Sequence, residues 1–127
     1  MNQNVVLKDE ERELPVPVIW RSALKQIVDS FVQESEPPTA VDAIVVDPIA
    51  SDEAKINRQN IKDYPDPIGP LAEHSWATSI YIWMDGYWDV LVDLSTSYGE
   101  TSDLVLHAKV RESGNQYIIK PGLIYVP

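Results

Sequence analysis

Residues 80–94, IYIWMDGYWDVLVDL, decide how this chain folds. Two apolar, alternating runs flank Asp85-Gly86, a pair that turns a chain back on itself, so the stretch predicts a β-hairpin. Two registers compete. A two-residue Asp85-Gly86 loop pairs Met84 with Tyr87 and sets Ile80 and Ile82 on the same face as Asp89. A three-residue loop, Met84-Asp85-Gly86, also gives Gly86 the left-handed position it tolerates. It pairs Trp83 with Tyr87 and lines one face with Ile80, Ile82, Trp88 and Val90. The second register keeps apolar and acidic residues apart and is the expected one. The opposite face then carries Tyr81, Trp83, Tyr87 and Leu91 beside Asp89 and Asp93, a mixture of aromatic and acidic surface.

Working outward, the runs 76–83, 87–94, 103–111 and 116–127 read as four strands separated by turn signals. Leu104, Leu106, Ala108 and Val110 alternate inward. Val105, His107, Lys109 and Arg111 alternate outward, with Asp89 facing either His107 or Lys109. Upstream, Pro15 and Pro17 hold the chain extended, and Pro17 suits the first turn of a helix. Trp20, Leu24, Ile27, Val28 and Phe31 then recur at helical spacing until Pro37-Pro38 stops the helix. Between 36 and 75 lie six prolines. The run 40–47 fits a short strand or a buried loop. Residues 51–64 fit a second helix capped by Ser51, with Asp52 and Glu53 at its positive end and Ile56 and Ile61 inward. The expected fold is α+β: an N-terminal helix and a second short helix packed on one face of a four-stranded antiparallel meander sheet. Residues 1–14 are a flexible arm and 15–127 a single domain.

Composition narrows the function. The chain has 127 residues, is 44% hydrophobic and contains no cysteine, which removes thiol chemistry and thiolate metal sites. No secretory leader opens it and no apolar run is long enough to span a bilayer, so a cytoplasmic protein is expected, with no membrane partner. Twenty acidic against ten basic residues give a net charge of −10, which repels nucleic acid. Between Lys62 and Lys109 there is no lysine or arginine. Such an acidic region suits a basic protein partner through steering and charge matching.

The candidate partner-binding residues are Tyr81, Trp83, Asp85, Tyr87, Asp89, Asp93, Glu100 and Asp103: aromatics as anchors, acids as charge partners. The arm or the proline-rich segment could instead fold over this face, or a second copy could cover it. No catalytic set, metal-ligand spacing or cofactor motif emerges. His107 could meet Asp89 across the sheet, and a His–Asp pair can act as a general base; a small hydrolase or ligand-binding domain is therefore an alternative, and a homodimeric structural module another.

At WDVLVDL (88–94), SDLVLHAKVRE (102–112) and the terminal IYVP the chain resembles a family of small bacterial proteins known only as a domain of unknown function. The resemblance runs from about Pro15 to Pro127 and includes the VPVIWR helix start and the 80–94 hairpin. It implies a compact α+β domain and brings no catalytic residues. By type, a small, acidic, cysteine-free protein of this size also resembles the immunity proteins of contact-dependent or polymorphic toxin systems. That likeness implies a non-enzymatic protein that neutralises a basic toxin domain, such as a nuclease, by direct binding.

Overall fold

The computed structural model describes residues 6–127. The first five residues of the expected arm lie outside them. Helix α1 (Val18–Val32) starts directly after Pro17 and buries Trp20, Leu24, Ile27, Val28 and Phe31, the stripe its spacing predicts. Helix α2 spans Ser51–Asp63, and a short 3-10 turn covers Glu73–Ala77. Strands β4 (Ile80–Trp83), β5 (Trp88–Ser95), β6 (Thr101–Ser113) and β7 (Gln116–Tyr125) follow one another in space as in sequence.

The four-stranded antiparallel meander is nevertheless a wrong description of the sheet. With β1 (Leu14–Pro15), β2 (Ala40–Val41) and β3 (Ile44–Val46), it has seven strands among the described residues, in the order β1-β4-β5-β6-β7-β3-β2, and is mixed. Strand β1 pairs with β4 at one edge. At the other edge β3 runs parallel to β7, and β2 completes a hairpin with β3. The class is α+β.

The hairpin register is also the reverse of the expected one. Ile82 opposes Asp89 and Trp83 opposes Trp88, and Met84 N–H donates to the Tyr87 carbonyl at 2.7 Å. The loop is Asp85-Gly86, both at positive φ (57° and 126°), the combination that matches a two-residue turn to the right-handed twist of its strands. This register sends Ile80 and Ile82 outward but turns Tyr81 and Trp83 inward. The larger aromatic area wins. Tyr81 is 3% exposed and meets Trp20 edge-on at 5.5 Å, while Trp20 also packs against Trp88 and Tyr117.

Two peripheral segments complete the inner layer. Leu7 N–H donates to the Tyr81 hydroxyl and the Leu7 carbonyl accepts from the Trp88 indole, so this part of the arm satisfies two polar atoms of the aromatic cluster. Helix α2 lies along the part of the β7 edge that β3 leaves free, rather than on a sheet face. Asn57, fully buried, accepts from Ile124 N–H (2.7 Å) and donates to the Gly122 carbonyl (2.9 Å), and Asn60 donates to the Ile124 carbonyl. Consequently Ala54 and Asn57 face inward, and Ile56, expected inside, is 47% exposed.

Candidate functional site: an open sheet face and an acidic loop end

Helix α1 covers one face of the sheet, and among the described residues no helix lies across the other. The open face is half-buried or exposed at Ile80, Ile82, Leu91, Lys109, Ile118 and Lys120. Asp89 and His107 sit at its centre, with Nε2 of the ring 2.9 Å from Oδ1 of the carboxylate. In register, Asp89 opposes Lys109; its side chain reaches diagonally to His107. Asp93 accepts from the Thr78 hydroxyl. Lys109 stands 5.0 Å over the Tyr87 ring, and Arg111 pairs with Asp47 at 2.8 Å.

The expected aromatic–acid patch is therefore not assembled as a unit. Tyr81 belongs to the core. Trp83 leans on Trp88 at 4.8 Å with Lys8 over its ring, on the α1 side of the sheet. Tyr87, Asp89 and Asp93 do share the open face, but each already has a partner there. Asp85 is exposed in the turn. Val105, expected outward, is 6% exposed.

Glu100 and Asp103 lie elsewhere, at the end of the molecule where the proline-rich loop meets the β5–β6 connection. An antiparallel bridge joins Ile68 to Thr96, Gly69 N–H donates to the Ser95 carbonyl, and Ser97 N–H donates to the Pro67 carbonyl. His74 hydrogen-bonds the Gly99 carbonyl. These contacts bring segments 63–74 and 96–103 together. Between them they hold five carboxylates, Asp63, Asp66, Glu73, Glu100 and Asp103, and no lysine or arginine. Asp63, Asp66 and Asp103 line one depression, where the Tyr64 hydroxyl donates to Asp103 at 3.3 Å. Among the described residues no three acids or histidines are grouped closely enough to hold a metal ion. At the tip of the loop Tyr98 is 73% exposed. Tyr98, Asp63, Asp66 and Glu73 were missing from the sequence-derived set; the run of residues without a base was legible, but not the loop pairing that gathers it.

The assembly is a two-layer α+β protein with a mixed sheet open on one side. Residues 28–127 match the family described as a domain of unknown function, DUF7668, and the chain belongs to that family. The match starts inside α1, downstream of the Pro15 boundary expected from sequence, so the arm and β1 precede it. No curated protein and no solved structure matches the chain. No helix among the described residues is long and apolar enough to cross a membrane.

Proposed function

We propose that this protein is a non-enzymatic, cytoplasmic binding module that docks a basic protein partner on its acidic loop end, in the manner of an immunity protein that neutralises a toxin domain. The observation that supports this reading is the union, at one end, of five carboxylates on segments that carry no lysine or arginine, and an exposed tyrosine. Uncompensated charge raises the encounter rate with a basic surface. A protruding aromatic ring supplies the desolvated anchor that charge alone does not. Glu100 and Asp103 stay in the binding set, joined by Tyr98. Asp89 and Asp93 contribute less, because a partner must displace His107 or Thr78 to reach them.

The test starts with affinity capture at low salt, followed by titration of the purified partner. Tyr98→Ala should weaken binding by about 2 kcal/mol, the range of a central anchor. Glu100→Gln with Asp103→Asn should slow association and flatten its salt dependence. Asp89→Asn serves as control and should change little. A partner whose affinity ignores Tyr98 and Glu100 but collapses with Asp89→Asn would move the interface to the open sheet face.

The Asp89–His107 pair supports a second reading, a small hydrolase. It predicts an activity lost in His107→Ala with the melting temperature nearly unchanged.

A further inference from the structure

Lys109 and Lys120 are direct cross-strand partners on the open face. Like charges placed opposite one another on a sheet are destabilising, and this chain has twice as many acids as bases with which to neutralise them. Yet among the described residues neither ammonium takes part in an ion pair, whereas Lys8, Lys25, Lys62 and Arg111 all do. Lys109 rests over the Tyr87 ring, and Asp89, its cross-strand neighbour on β5, turns its carboxylate to His107 instead.

The surface around the two lysines is hollowed on both sides. A depression of about 400 Å³ is lined by His107, Lys109, Lys120, Gly122 and Tyr125. A second, of about 260 Å³, is lined by Gly86, Tyr87, Lys109, Arg111 and Lys120. Both share the lysine pair. The larger one borders the irregularity where β6 and β7 change register between Leu106 and Ala108. There Gly122 presses on the His107 carbonyl so closely that a Cβ would lie 2.5 Å from that oxygen. Its volume falls in the range of small-molecule sites.

We propose that the Lys109–Lys120 pair is a binding site for a soluble small-molecule phosphate ester. One phosphate between the ammoniums turns their mutual repulsion into two charge-assisted contacts. The organic body then lies in the larger depression against Tyr125. Glu53 at the rim of that depression bounds the site and excludes a second anionic group. A nucleic acid or an anionic membrane surface is the wrong source of the phosphate, since the net charge of −10 repels both. This site is independent of the acidic loop end and of the partner reading built on it.

The experiment is a titration of the full chain with phenyl phosphate, followed by the lysine side-chain and backbone NMR signals, with inorganic phosphate, sulfate and sodium chloride at matched ionic strength. Saturable shifts at Lys109, Lys120 and the 107–111 amides are expected, with phenyl phosphate tighter than inorganic phosphate. In Lys109→Gln/Lys120→Gln the affinity should fall about ten-fold or more. The same variant without ligand should melt no lower than the parent, because a repulsion has been removed. Glu53→Gln should bind more tightly. Four outcomes overturn the proposal: no saturable shift, an equal response to sulfate, affinity retained in the double variant, or binding only to anionic lipid vesicles.

Discussion

Single side chains set the outer limits of this fold. Asn57 occupies the place of a missing strand, offering one acceptor and one donor to the backbone of β7. Asn57→Ala leaves the buried Ile124 N–H and the half-buried Gly122 carbonyl without their side-chain partner, which costs about 2 kcal/mol. The urea midpoint should fall accordingly with its slope unchanged. Tyr117 gives the pH dependence. Burial pushes its hydroxyl above the ordinary tyrosine value, the nearby Glu112 adds to the shift, and Lys8 opposes it. The neutral phenol is therefore favoured in the folded state. That contribution is complete below the unfolded value, about 10, and is lost as pH rises through the higher folded value. Tyr117→Phe should flatten the alkaline limb of a stability–pH curve, leaving the neutral region to report lost packing alone. At Gly122 the 2.5 Å approach to the His107 carbonyl makes Gly122→Ala a strained change, expected to cost about 1–3 kcal/mol in chemical denaturation.

At the level of elements, turn chemistry overrode face segregation. The 80–94 stretch offered two consistent rules: keep isoleucine away from aspartate, or place Asp-Gly where both residues can take positive φ. The second prevailed because it also carries Tyr81 and Trp83 into the aromatic cluster around Trp20. Since Asn is tolerated at such turns as well as Asp, Asp85→Asn should leave the melting temperature within about 1 °C. Gly86→Val should cost about 1–3 kcal/mol, since a β-branched residue resists positive φ. Helix α1 and strands β5 to β7 were legible because each is long enough for its period to repeat; of the strand expected over 76–83 only Ile80–Trp83 is extended, and Trp76 and Ala77 belong to the 3-10 turn. Strand β1 was not legible, and the run holding β2 and β3 read only as a short strand or a buried loop. These three have two or three residues each, too few to show alternation, and what makes them strands is the edge they land on. Helix α2 was visible from its length and from Asp52 and Glu53 in its first turn, although Ser51, expected as its cap, is its first helical residue and Ala50 precedes it without a side-chain cap; its docking was not visible. An asparagine in the buried row reads as polar surface until the backbone it serves is known.

For the molecule as a whole, charge is sorted rather than spread. The acidic loop end lacks any cation between 63 and 108, and the basic pair sits in the middle of a face bordered by acids that are already engaged. The first half of that arrangement was legible in a count of lysines along the chain. The second was not, because the opposition of Lys109 and Lys120 depends on a register set by the β6–β7 turn and its irregularity. Self-repulsion at the loop end should be relieved by screening, so the melting temperature should rise between about 10 mM and about 150 mM sodium chloride. A flat response would mean that the five carboxylates stand too far apart to matter. The binding of the arm to the aromatic cluster has an optical side. Three of the four tryptophans, Trp20, Trp83 and Trp88, share one cluster, and the indole N–H of Trp88 is bonded to the Leu7 carbonyl. Peeling the arm away would wet that indole while the sheet stays intact, so its emission would shift to the red in a step ahead of global unfolding. The protein thus contains its own reporter for the detachment of its N-terminal arm, with no label added.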